Sequence, residues 1–216
     1  KGSIYVNDKD LFNKTPADFI RMRVACVPQD RKRSGSIGDF SIGENAILKS
    51  QNQAPFARFG FFQWGPVYLY ADTLIQKYDV RAPNSKVKAK ALSGGNLQKL
   101  IFARETSRPH DILIAMQPTR GLDVSAMEFV YRYLLEERSK GTAILLISTE
   151  LDEILSLSDR IAVIYEGRLV GEVSAETASI EKIGLWMAGV LNSAPCDLKD
   201  LDPDHHDDEA GQTIRG

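Results

Sequence analysis

The sequence predicts an α/β fold with a mainly parallel sheet core, an antiparallel β element at its start and a helical lobe inserted before the core is complete. Three features carry that expectation. In the second half, apolar runs of strand length at 111–116 and 142–148 flank a helical pattern at 124–140, the arrangement of parallel strands joined by a crossover helix. Near the start, residues 2–6 alternate like a strand and run into Asn7-Asp8, a turn pair. Between these regions, residues 40–90 read mainly as helix.

The elements follow in order. A second strand at 24–27 stops at Pro28, and a polar, basic loop from Gln29 to Gly38 carries Arg31, Lys32 and Arg33. An aromatic stretch of Phe56, Phe59, Phe61, Phe62 and Trp64 is broken by Pro55, Gly60, Gly65 and Pro66. It either packs the helical lobe or docks on a partner. Residues 69–78 predict a helix with Leu74, Ile75 and Tyr78 on one face. The pattern at 96–108 is helical and ends at Pro109, and that at 124–140 is closed by Gly141. The run at 142–148 predicts a buried strand, followed by a short helix from Leu151. Residues 160–165 and 168–173 predict a hairpin across Glu166-Gly167, and 176–191 a last amphipathic helix. From 192 to 216 the chain turns acidic and loses its apolar residues, so this tail is expected to be disordered. Its His205-His206 pair is read as solvated rather than as a metal site. The body at 1–191 is expected to be one partial domain with its helical lobe at about 38–91.

Composition narrows the function. With 27 basic and 29 acidic residues among 216, the charge balance gives no electrostatic support to a nucleic-acid partner. No apolar run reaches the roughly 18–20 residues of a membrane span, and no signal peptide is read at the start. Cys26 and Cys196 are too far apart for a metal or redox motif and predict two reduced thiols.

The strongest chemical signal is Leu92-Ser93-Gly94-Gly95-Asn96-Leu97-Gln98-Lys99. A serine precedes two glycines and a helix begins at once. Free backbone N–H groups and the positive end of a helix dipole then meet where a ligand can approach the backbone closely, which makes an anion site. The same residues also suit a plain helix cap. The strand that follows runs into Gln117-Pro118-Thr119-Arg120-Gly121-Leu122-Asp123.

With these segments in this order, the sequence resembles the ABC ATPase family over residues 2–190. Residues 92–99 resemble its signature loop, 118–123 the approach to its D-loop, and Val27-Pro28-Gln29-Asp30-Arg31-Lys32-Arg33-Ser34-Gly35 its Q-loop. The wording of all three is most similar to the C-terminal ATPase half of tandem sugar and nucleoside importers. The resemblance implies a P-loop NTPase core of the ABC type. It also implies an ATP-binding subunit on the cytoplasmic face of the membrane, joined to a second ATPase half and to permease subunits, and served by an extracytoplasmic binding protein. It further implies that Ser93, Gly94, Gly95, Asn96 and Gln98 reach the partner's ATP and Mg2+, that Asp123 couples the two sites, and that Gln29 senses the γ-phosphate.

The departures are as specific. Where the family ends its strand in Asp-Glu, this chain has Met116 and Gln117, and Thr149 stands at the switch-histidine position. Methionine offers magnesium no hard oxygen, and glutamine cannot take a proton from water. The chain's own site is therefore expected to be degenerate and to hold no metal. Gly-x-x-x-x-Gly-Lys-Ser/Thr does not occur in the 216 residues. The chain is expected to begin just past that loop, lacking its strand and helix and leaving an unpaired sheet edge. Two other readings stand beside an importer ATPase: a non-hydrolysing structural or regulatory half, and an ABC protein with no membrane partner.

Overall fold

A computed structural model of the chain describes residues 3–190. The chain divides into two compact units, Lys1–Glu150 and Leu151–Gly216. The expected disordered tail, Cys196 and the histidine pair lie outside the described residues.

The first unit opens with the predicted hairpin, β1 (Tyr5–Val6) against β2 (Lys9–Asp10). Asn7 and Asp8 both take positive φ, 49° and 60°, as a two-residue turn requires. Helix α1 (Pro16–Arg21) starts on a Thr15–Asp18 capping box with Pro16 in its first turn. The core is a three-stranded parallel sheet in the order β3 (Val24–Val27), β6 (Ile112–Met116), β7 (Ala143–Ile147). Cys26 pairs with Ile114, and Ile114 in turn with Leu145.

Helices α4 (Gly94–Thr106) and α5 (Val124–Ser139) belong to this unit. Helix α4 is buried nearly all round, with Leu97, Leu100, Ile101, Phe102 and Ala103 at most 3% exposed. Phe102 meets Phe129 of α5 edge-on at 6.4 Å, and Phe129 continues into a ring stack through Tyr133 to Tyr78. Val6 and Leu11, with Phe19 and Met22, pack on Val24, Ile112 and Ile114. That cover does not reach β7. Leu145 and Ile147 are 54% and 43% exposed. The buried strand expected at 142–148 is instead a bare edge, because no described element pairs with β7 beyond β6.

The region between β3 and α4 is less helical than expected. It holds the short α2 (Ile42–Ala46), a hairpin of β4 (Ala57–Arg58) and β5 (Phe61–Phe62), and α3 (Trp64–Lys77). Phe59 and Gly60 form the hairpin turn with positive φ. Helix α3 begins five residues before the expected Leu69. Pro66 falls in its first turn, where the missing N–H would have had no helical partner.

The second unit, in its described part, contains α6 (Leu151–Leu157) and the hairpin β8 (Arg160–Tyr165) with β9 (Arg168–Ser174) across Glu166-Gly167, as predicted. The last helix, expected from 176, starts later. Ala175–Thr177 form a single 3-10 turn, Ala178 is extended, and Ser179 caps α7 (Ile180–Met187). Gly189 at φ 77° follows that helix, and Leu191 lies outside the described residues.

Candidate functional site: a glycine loop at a helix N-terminus

Ser93 is the N-cap of α4, with extended backbone, and its exposed Oγ accepts from the Asn96 N–H. Gly94 and Gly95 open the helix. Their N–H groups fall among the first four, which have no acceptor in the helical ladder. Gly95 has a second reason to be glycine. A Cβ there would lie 2.9 Å from the Ala126 Cβ and 3.7 Å from an Asp123 carboxylate oxygen. The bare backbone lets the start of α4 approach the start of α5, where Asp123 is the N-cap.

Asp123 accepts from the Ala126 N–H at 2.9 Å and from the Ser125 hydroxyl at 2.8 Å. The Ala126 N–H first, then the Ser125 hydroxyl, hold its carboxyl below the usual range. A cavity of about 310 Å³ opens between the two helix starts, lined by Ser93, Gly95 and Asn96, by the cations Arg81, Lys99 and Arg132 and by the acids Asp79, Asp123 and Glu128. The Asn96 amide accepts from the Arg81 backbone N–H at 2.8 Å and donates to Ser93 Oγ at 2.9 Å. Lys99 anchors the same wall by donating to the Asp79 carboxylate at 2.6 Å and to its carbonyl at 2.9 Å.

Gln98, expected at the nucleotide, faces the interior. It is 2% exposed and its amide donates to the Pro118 carbonyl at 2.7 Å. It braces α4 against the loop that follows β6. Position 98 falls on the inward face of a helix buried on several sides, which overrides the motif's suggestion of a contact.

Gln29 lies exposed just past the end of β3. The basic stretch after it is a built turn rather than a free loop. The Asp30 carboxylate accepts from the N–H groups of Lys32 and Arg33, and its carbonyl from those of Ser34 and Gly35. Arg31 reaches out of this turn and donates to the carbonyls of Arg120, at 2.8 Å, and Gly121. A Cβ on Gly94 would sit 3.7 Å from its guanidinium. Arg31 thus joins the Gln29 loop to the other two segments. The signal in the sequence for the built turn is Asp30, a side chain that closes turns on N–H groups two and three residues ahead.

At the end of β6 the structure brings Gln117 and Thr149 together. Gln117 sits at φ 47°, its N–H bonds the Ile147 carbonyl at 2.7 Å, and its side-chain oxygen accepts from the Thr149 hydroxyl at 3.3 Å. Met116 lies beside them on β6. A thioether, a neutral amide and a hydroxyl make a poor donor set for magnesium. Among the described residues no group of three His, Cys, Asp or Glu residues could hold a metal ion. The glycine loop, in contrast, suits an anionic phosphate, with free N–H groups, a serine hydroxyl and a helix dipole meeting at one exposed point.

The fold is that of the ABC ATPases. It superposes on the ATP-binding cassette MJ0796 bound to ADP and Pi with a TM-score of 0.64, at 18% identity, over 81% of this chain and 74% of that one. A nucleotide-free ATP-binding cassette from an ABC transporter gives 0.65 at 21% identity, over 81% and 70%. In sequence, the chain is 48% identical over 188 residues to the guanosine import ATP-binding protein NupO of Bacillus subtilis, covering 87% of this chain and 37% of that protein. It is 43% identical over the same shares to the nucleoside import ATP-binding protein NupA of Lactococcus lactis. With the glucose import ATP-binding protein TsgD13 of Haloferax volcanii the identity is 46%, over 87% of this chain and 34% of that one. The chain therefore spans little more than a third of the length of these relatives. No family model matches it. Among the described residues no helix is long and apolar enough to cross a membrane.

Proposed function

We propose that this chain is part of the ATP-binding subunit of an importer for nucleosides or simple sugars, corresponding to the C-terminal ATPase half of a tandem subunit. It lends its Ser93–Asn96 loop to ATP and Mg2+ held by a second ATPase half. Its own water-activating site, at Met116, Gln117 and Thr149, is degenerate. The subunit sits peripherally at the cytoplasmic face of permease subunits, which an extracytoplasmic binding protein supplies. The observation that carries the reading is the contrast between two places in one unit. The glycine loop keeps its N–H groups and its serine beside an open cavity, whereas β6 ends in Met116 and Gln117, neither of which is a carboxylate. The 48% and 43% identities to guanosine and nucleoside import proteins support the cargo class.

The reaction is phosphoryl transfer to water, and this chain's contribution is to position the γ-phosphate and meet it with hydrogen-bond donors. The N–H groups of Gly94 and Gly95 and the Ser93 hydroxyl meet it as donors, with Arg31 behind them. Gln117 and Thr149 can orient a water but cannot take its proton. The test is ATP turnover by the assembled transporter. Ser93→Ala is expected to lower it by about tenfold or more, the scale of one hydrogen bond to a charged group. Gln117→Ala is expected to change it by less than about twofold. Equal losses for the two variants would overturn the asymmetry. Co-purification of the chain with permease subunits tests the membrane assignment, and its recovery with ribosomes or DNA instead would favour an ABC protein of another class.

A further inference from the structure

One guanidinium fills the space that two glycines leave. A Cβ on Gly121 would lie 3.4 Å from Arg31 Nη2. A Cβ on Gly94 would meet Nε, Cζ and Nη2 of the same group at 3.7 to 3.8 Å. Gly94 opens α4, and Gly121 lies in the loop that ends at Asp123, the N-cap of α5. Arg31 is thus wedged between the two helix starts. Its Nη2 donates to the Arg120 carbonyl at 2.8 Å and to the Gly121 carbonyl at 3.3 Å. Gly121 bends the chain at φ 63°, and both carbonyls face that one donor. Two carbonyl dipoles aimed at one point repel each other unless a donor stands between them, and a charged donor binds them best.

The backbone end of Arg31 is equally fixed. Its carbonyl accepts from the Ser36 hydroxyl at 2.8 Å. A Cβ on Gly35 would lie 2.9 Å from Arg31 Cα and 2.6 Å from Ile101 Cδ1 of α4, so the turn sits directly on that helix. The buried Arg104 of α4 donates to the Gly35 carbonyl at 2.8 Å. The turn after Gln29 is therefore seated on the second half of α4, and Arg31 runs from that seat to the start of the same helix. The loop after β6 has a separate brace from Gln98, which holds it at Pro118. Arg31 holds it further on, up to two residues before Asp123. We propose that Arg31 is a positioning residue, a strut that keeps the Ser93–Asn96 loop and Asp123 in one arrangement, so that both meet the partner's nucleotide together. The inference rests on the reading that the glycine loop serves a nucleotide. It adds that the turn after Gln29 acts on that loop through Arg31, by holding its neighbour in place and not by touching phosphate.

Hydrogen exchange on the chain itself reads the strut directly. The Arg120 and Leu122 N–H groups bond the Gln117 and Thr119 carbonyls. Arg31→Ala is expected to speed their exchange about tenfold while β6 stays protected. Added ethylguanidinium, which matches the group removed, is expected to restore the protection, and ethylammonium is not. In the assembled transporter the same variant is expected to lower ATP turnover about tenfold, the scale of hydrogen bonds from a charged group. Ethylguanidinium is expected to recover several-fold of that loss, measured against unmodified transporter in the same salt. Arg31→Lys serves if the alanine variant does not fold. It keeps the charge on a shorter stem without the planar fork, and is expected to lose turnover comparably. Unchanged exchange at Arg120 and Leu122, full turnover with either variant, or an Arg31→Ala loss that ethylguanidinium does not relieve overturns the proposal. If Ser93→Ala still lowers turnover in that case, the loop's role stands and only the strut fails. If Ser93→Ala itself has no effect, the underlying reading fails and this inference fails with it.

Discussion

Glu105 is fully buried and ionised, which a lone carboxylate could not be. Its oxygens accept from Lys49 at 2.6 Å, Arg104 at 2.9 Å and the Cys26 N–H at 3.2 Å. Burial pushes its pKa up, but the charges of Arg104 and Lys49 and their hydrogen bonds outweigh that and bring it below the ordinary 4.5. A carboxyl whose folded pKa is depressed adds stability above its unfolded pKa, and that stability is lost as pH falls through the folded value. Glu105→Gln strands the buried Arg104 and the partly buried Lys49 and is expected to cost about 3 kcal/mol at neutral pH. It should also flatten the loss of stability below about pH 4.5. Urea titrations of both proteins across pH 3–7 check this, and parallel acid limbs would show that another carboxylate governs them. The network matters for the site because it ties three parts together. Cys26 lies on the strand leading to Gln29, Lys49 follows α2, and Glu105 ends the helix that Ser93 begins. Arg104 adds a bond to the Gly35 carbonyl at the far end of the Arg31 turn.

At the scale of elements, β7 illustrates what sequence can and cannot fix. Its position, its parallel pairing and the helix before it were legible, since an apolar pentad after a capped helix admits few other readings. Its exposure was not, because an apolar run records what a strand was selected to touch rather than what covers it in this chain. The β4–β5 hairpin was hidden for a related reason: Phe59 takes the left-handed turn position that sequence rules reserve for Asn, Asp or Gly. The glycine loop was legible because its residues act through the backbone. The roles of Gln98 and Arg31 depend on inter-element contacts that no local pattern encodes. The bare edge has a measurable consequence. Unpaired strand groups with Leu145 and Ile147 beside them invite another chain. The chain is expected to self-associate reversibly with concentration in sedimentation experiments. Leu145→Lys, a charge on that edge strand, is expected to shift it toward monomer. An unmodified chain that stays monomeric at high concentration would show that the edge is protected.

At the scale of the whole chain, the two units carry separate cores and, by chance of composition, one tryptophan each. Trp64 opens α3 in the first unit, 44% exposed and stacked on Tyr68 with ring centroids 5.9 Å apart. Trp186 lies in the second unit, 6% exposed, in a cluster with Ile161, Val163, Val170 and Ile183. A described body as small as 151–190 is near the size at which a single core is marginal. The first unit has the buried α4, the ring stack and the Glu105 network to hold it. Urea is therefore expected to release Trp186 before Trp64, giving two fluorescence transitions where a single cooperative domain would give one. Trp64→Phe and Trp186→Phe isolate the two signals. Gly171 provides an independent handle, because a Cβ there would lie 2.6 Å from the indole of Trp186. Gly171→Ala must push the ring out of its cluster, with an expected loss of about 1–3 kcal/mol for an overpacked core. That loss should move the Trp186 transition to lower urea and leave the Trp64 transition in place. If Gly171→Ala shifts both transitions together, the units unfold as one body and the expected independence is wrong.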